Sequence, residues 1–246
     1  MDEPRVAFVT GASRGIGRAT CLALARDGLA VAIGYRSDPA SAEESAAKIQ
    51  ADGGRAMAVH CDVADEASVD QAFRAIEAEL GKTTVLVNNA GWSRDGLAIR
   101  YSTADWDSTI AVNLTGAFLC TRRALPAMVR AKWGRIVNVS SAAGLRGNPG
   151  QIAYTSAKHG LIGMTRSLAR EMGSRGVTAN AVCPGMVETT MAEAIPEVYR
   201  QMWKNLTPVG RFGEPEEVAG LIAFLVSPEG AYVNGAAIPV DGGLTA

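Results

Sequence analysis

The chain has 246 residues and a hydrophobic share of 48%, enough for a packed core, which excludes a disordered polypeptide. Its 24 basic and 25 acidic residues leave a formal net charge of −1, which argues against a nucleic-acid binder that must displace counterions from phosphates. No apolar run is long enough for a membrane-spanning helix, and the start, Met1 to Arg5, lacks the cationic and apolar parts of a secretion signal, so a cytoplasmic protein is expected.

Short apolar runs alternate with helical patterns along the chain. Strands are expected at 6–9, 29–33, 56–59, 84–87, 135–139, 177–182 and 236–240. Several are continuously apolar, as strands are when both faces of a parallel sheet are covered. Between them, Val69, Ala72, Phe73, Ile76 and Leu80 recur at helical spacing behind a capping Asp65. Val218, Leu221, Ile222 and Leu225 do the same behind Glu214-Pro215. The alternation predicts one doubly wound α/β domain over 1–246. Residues 187–208 have no strand signal and follow a strand end, which makes them a candidate lid over a ligand. Cys21, Cys61, Cys120 and Cys183 show no metal-ligand spacing with one another or with His60 and His159, so half-buried thiols and no metal are expected.

The first strand runs into Thr10-Gly11-Ala12-Ser13-Arg14-Gly15-Ile16-Gly17. Glycines at 11, 15 and 17 let the backbone turn tightly and approach a ligand closely. A helix beginning near Gly15 would point its free N–H groups and positive dipole end at that ligand, which suits a diphosphate. The turn alone is also compatible with a strand-to-helix connection that binds nothing.

Four motifs in order decide more. Thr10 to Gly17, Asn88-Asn89-Ala90-Gly91, Tyr154-Thr155-Ser156-Ala157-Lys158 and Pro184-Gly185 together resemble the short-chain dehydrogenase/reductase family over essentially the whole chain. The resemblance implies a Rossmann-type sheet of seven parallel strands flanked by helices. It also implies a homotetramer packed through long helices around 103–130 and 151–174.

The chemistry can be argued from residue types. Hydride reduction of a carbonyl leaves charge on oxygen, so a proton must be supplied there. Tyr154 carries a phenol, and Lys158, four residues on along one helix face, would lower its pKa toward working pH. Ser141, at the end of the fifth strand, can donate a hydrogen bond to the substrate oxygen. Ser140 is the rival, but the family's spacing to the tyrosine favours Ser141. Asn113, in Val112-Asn113-Leu114, resembles the family's fourth member, which holds a water linking the lysine to solvent.

At the end of the second strand, Gly34-Tyr35-Arg36-Ser37 lacks the acid that accepts the ribose hydroxyls of NAD. Asp38 comes late, in a turn. Arg36, with Arg14, offers forks for a 2′-phosphate, so NADP(H) is expected. The cofactor-binding set is Gly11, Ser13, Arg14, Gly15, Ile16, Gly17, Tyr35, Arg36, Asp62, Val63, Asn89, Ala90, Gly91, Tyr154, Lys158, Pro184, Gly185, Val187 and Thr189.

Further segments, among them 92–95, 160–163, 167–171 and 185–189, resemble the bacterial 3-oxoacyl-[acyl-carrier-protein] reductases within that family. This implies an acyl substrate carried on acyl carrier protein, docked by Lys132 and Arg175 beside the cleft. Two alternatives stand: an NADP-dependent ketoreductase or alcohol dehydrogenase acting on acyl-CoA or another small carbonyl, and a cofactor-sensing protein without turnover.

Overall fold

The computed structural model describes residues 5–193 and 195–246. All seven apolar runs form strands. They are β1 (Val6–Val9), β2 (Ala30–Tyr35), β3 (Ala56–His60), β4 (Thr83–Asn88), β5 (Gly134–Val139), β6 (Val177–Pro184) and β7 (Ala237–Val240). Several extend past the apolar run at the C-terminal end, where polar residues such as Tyr35, His60 and Asn88 close the ladder. Every pairing is parallel, and the order is β3-β2-β1-β4-β5-β6-β7. The order reverses direction between β1 and β4, the switch point where open α/β sheets form a crevice.

The helices follow the sequence pattern. They are α1 (Gly15–Arg26), α2 (Pro39–Ala51), α3 (Glu66–Glu79), α4 (Thr103–Ile110), α5 (Gly116–Ala131), α6 (Ala142–Arg146), α7 (Ile152–Met172), α8 (Thr190–Glu193), α9 (Glu197–Leu206) and α10 (Pro215–Val226). Asp65 caps α3 by accepting from Ala67 N at 3.0 Å, and the Glu217 carboxylate accepts from Glu214 N at 2.7 Å to close the first turn of α10. The helix expected around 103–130 is not continuous. A π-turn, Ala111–Thr115, separates α4 from α5 and carries Asn113 at its centre. The stretch 187–208 is largely helical, through α8 and α9.

Two apolar layers sandwich the sheet. Phe8, Phe73, Ile76, Leu86, Met128 and Ile136 fill one, and Leu24, Ile33, Val87, Val137, Ile222 and Leu225 fill the other. One polar chain crosses the first layer. Asn88 donates to Asn138 Oδ1 at 2.8 Å and to Thr121 Oγ1 at 3.1 Å, and Asn138 donates to Thr165 Oγ1 at 2.8 Å. These bonds tie β4 and β5 to α5 and α7, and so fix the helix that carries Tyr154 and Lys158 against the sheet. The four cysteines are buried rather than half-buried, and the neighbouring Cys61 thiol together with burial raises the pKa of Cys120. Among the described residues, no helix is long and apolar enough to cross a membrane.

Candidate active site

The glycine turn is built for close approach. Gly11 and Gly15 have φ of +61° and +56°, the left-handed region that side chains avoid. A Cβ on Gly11 would lie 2.7 Å from Ala90 Cα, and one on Gly17 would lie 2.6 Å from Asn89 Nδ2. The Asn89 amide donates to Thr10 O and Gly11 O, both at 2.9 Å, while the Thr10 hydroxyl accepts from Asn89 N and Ala90 N at 3.1 and 3.0 Å. Asn89-Ala90-Gly91 thus pins the turn. At the start of α1, Arg14 is extended and caps nothing with its side chain, and the first turn holds no acid. The amides there are available to an anion.

A cleft of ≈ 920 Å³ opens at the carboxyl ends of the strands. It brings together Gly11, Ser13, Arg14, Gly15, Ile16, Gly17, Arg36, Asp62, Val63, Asn89, Ala90 and Gly91 with Ser141, Tyr154, Lys158, Pro184, Gly185, Val187 and Thr189. Two expected residues stand apart from its lining. Tyr35 packs edge-on against His60, with ring centroids 5.8 Å apart. Asn113 lies behind Gly91, where an added Cβ would come within 2.7 Å of Asn113 Oδ1 and 3.3 Å of Lys158 Nζ.

Lys158 is 3% exposed and donates to Val139 O at 2.8 Å. Burial draws its pKa down to about 8. Its ammonium sits 5.5 Å from the centroid of the Tyr154 ring. Burial, rather than that ammonium, dominates the Tyr154 phenol and holds it above its ordinary value. This corrects the expectation of a lowered pKa. The neighbouring Ser141 hydroxyl pulls it down through a hydrogen bond, and the Asp95 charge raises it further. Ser141 caps α6, accepting from Ala143 N at 3.1 Å. Ser140 lines the cleft too, but its hydroxyl is committed to the helix, donating to Lys158 O at 2.7 Å. Asn113 Nδ2 donates to Trp92 O and Thr109 O at 2.8 and 2.9 Å, while its buried Oδ1 has no partner among the described residues.

A family model described as "Enoyl-(Acyl carrier protein) reductase" matches residues 11–245. Among curated proteins, the chain is 46% identical over 241 residues to a 3-oxoacyl-[acyl-carrier-protein] reductase of Synechocystis sp., covering 98% of this chain and 96% of that one. The chain belongs to the short-chain dehydrogenase/reductase family. Proteins of the same name from Aquifex aeolicus and Pseudomonas aeruginosa are 45% and 43% identical, with 98% of each chain covered in both cases.

Membership in this family brings a nicotinamide cofactor, and the cleft fits one. The glycine turn leads into the uncapped amides that begin α1, which suits a diphosphate, and Asp38 caps α2 by accepting from Ser41 N at 3.2 Å instead of facing a ribose. Sequence reasoning missed Asp95 and Gln151, which also line the cleft and are joined by a 3.1 Å hydrogen bond. Nothing local marks them; a parallel bridge between Gly96 and Gln151 brings the two segments together. Trp203 and Tyr199 of α9 line the cleft as well.

Lys132 and Arg175 do not lie beside the cleft of their own chain. Lys132 ends α5 with a left-handed φ of 50°, and Gly176 packs so close that a Cβ there would be 2.1 Å from Lys132 O. Both residues precede β5 and β6, at the strand ends opposite Ser141, with roughly 20 Å of β5 between.

Proposed function

We propose that this chain reduces the 3-oxo group of an acyl thioester, carried on acyl carrier protein, to the 3-hydroxyl with NADPH. The observation that carries the reading is the placement of Ser141, Tyr154 and Lys158 on one wall of the glycine-turn cleft. When bound, the cofactor supplies the hydride. Ser141 and Tyr154 hold the ketone oxygen by donating hydrogen bonds to it. Tyr154, kept protonated by burial, gives that oxygen its proton as charge develops. The Lys158 ammonium stabilises the phenolate left behind. The unpartnered Oδ1 of Asn113 suits a water that hydrogen-bonds Lys158 and restores the proton. Arg36 and Arg14 line the cleft where a 2′-phosphate would follow β2, which favours NADPH over NADH. The aromatic faces of α9 would close over the acyl chain as a lid, in one single-domain cytoplasmic enzyme that works as a homotetramer.

Carrier docking at Lys132 and Arg175 fits this reading in one form only: the two cations serve the cleft of another copy of the chain. The deciding experiment assays acetoacetyl groups on carrier protein, on coenzyme A and as a free ester, with NADPH and NADH. The expected result is fastest turnover on the carrier with NADPH at low salt. Equal rates on all three acyl forms would favour a general ketoreductase. Turnover of a 2-enoyl thioester without turnover of the 3-oxo form would overturn the assignment.

A further inference from the structure

The cleft contains a carboxylate that the proposed reduction does not use. Asp95 follows β4 in the loop after Gly91 and lines the cleft with Tyr154. Its position is built. Ser93 Oγ donates to Asp95 Oδ1 at 2.8 Å and Gln151 Nε2 donates to the same oxygen at 3.1 Å. Gln151 is itself held by Asn148, whose amide donates to Gln151 Oε1 at 2.9 Å. Gln151 precedes the first turn of α7, so the carboxylate is tied to the start of the helix that bears Tyr154.

Its charge has no cation opposite it among the described residues. The adjacent Arg94 turns away and pairs with Asp105 at 3.2 Å. The cations that line the cleft are occupied or directed elsewhere. Lys158 donates to Val139 O, Arg146 lies 5.3 Å from the Trp203 ring centroid on the α9 side, and Arg14 and Arg36 stand at the glycine-turn end. The Asp95 charge reaches Tyr154, since it is one of the influences that keep the phenol protonated.

We infer that Asp95 is a specificity-determining residue that turns away free 3-oxo acids and admits chains whose C1 is a neutral thioester. The inference rests on the proposed 3-oxoacyl reduction and adds a charge rule to it. In a 3-oxo acid the carboxylate lies two bonds from the ketone carbon. If the ketone oxygen sits against Ser141 and Tyr154, that charge enters the cleft whose wall Asp95 shares with them. Asp95 is exposed, so water weakens the repulsion between the two like charges, but at contact range it still disfavours the acid. A thioester at C1 carries no charge and meets no such barrier.

The test measures kcat/KM for acetoacetate and for a neutral acetoacetyl thioester of N-acetylcysteamine, with NADPH, in the wild type and in Asp95→Asn. Asparagine keeps an acceptor for Gln151 and Ser93 and removes the charge. The acid-to-thioester ratio should rise by about fivefold in Asp95→Asn, and the gain should shrink as salt screens the wild-type repulsion. Asp95→Ser, with NADPH binding measured to confirm folding, should shift the ratio in the same direction. A ratio unchanged within about threefold in both variants overturns the inference, as does an equal fall for both substrates, which would make Asp95 only a support for Gln151 and α7. Failure of the proposed reduction would read differently: the wild type would leave the neutral thioester unreduced in the first arm.

Discussion

Each end of β5 holds a buried cation, and the two behave differently. At the carboxyl end, Lys158 donates to Val139 O at 2.8 Å; at the amino end, Arg135 donates to Gly134 O at 2.9 Å. Both are almost fully buried, at 3% and 5% exposure. Burial lowers both pKa values, and in Arg135 the charge of Arg5 adds to the effect. An ammonium brought to about 8 can exchange its proton near neutral pH, whereas a guanidinium starts so high that it stays charged. Arg135 is also stacked, with its guanidinium 4.6 Å from the Trp133 ring centroid and Arg5 at 3.7 Å. The strand therefore meets a titratable cation, from α7, where the cleft opens and carries a permanently charged, packed one where it does not. Burial of charge marks a working site only when the group can change state in the accessible pH range.

The sharpest way to break this contrast is at the cleft end. Tyr154→Phe should lower kcat by roughly 10³-fold while NADPH binding, followed by fluorescence, stays within about threefold. Near wild-type turnover would remove Tyr154 as the acid. Lys158→Met should cost roughly 10²-fold or more in kcat, whereas Arg135→Met should leave the kcat of folded protein within about threefold. Comparable losses in both would erase the distinction between the two ends.

The pH dependence sharpens the contrast. Because Lys158 loses its proton near 8 in the folded chain, kcat/KM for reduction should fall as pH rises through about 8. Stability should move the other way. Between about 8 and the ordinary lysine value of 10.5 the unfolded chain binds more protons than the folded one, so the cost of burying the charge is relieved with rising pH. The relief is at most roughly 3 kcal/mol. Lys158→Met should flatten this part of the pH–stability curve, as measured by denaturant midpoints.

Smaller effects are expected farther from the chemistry. Arg36→Ala should reduce the preference for NADPH over NADH by about tenfold, as measured by the ratio of kcat/KM values. Smallest of all, Lys132→Glu with Arg175→Glu should lower kcat/KM by a few-fold, about 3 to 5, on carrier-bound substrate at low salt. A free thioester should be unaffected.

Much of this was readable from neighbours in the chain. The apolar runs at 6–9 and 135–139 are buried strands because both faces of a parallel sheet are covered. The glycines at 11 and 15, expected where the backbone turns tightly, take left-handed φ values there. Asp65 caps its helix as its position suggested. Less legible were features made by distant segments. The helix pattern around 103–130 did not reveal the π-turn that carries Asn113, because its residues suit either helical form. The spacing of Tyr154 and Lys158 suggested a phenol acidified by an amine, but burial reverses the direction.

Local sequence was enough for the alternation of strands and helices, the glycine turn, and the tyrosine and lysine one helical turn apart. Each of these depends on residues a few positions from one another, whose backbone preferences and side-chain periodicity act locally. Packing of distant segments was needed for Asp95 to meet Gln151, for Asn113 Oδ1 to lie behind Gly91 near Lys158, and for Lys132 and Arg175 to stand at the far strand ends. Desolvation and contact between segments tens of residues apart arise only when the sheet and its helices pack, and no local pattern records them.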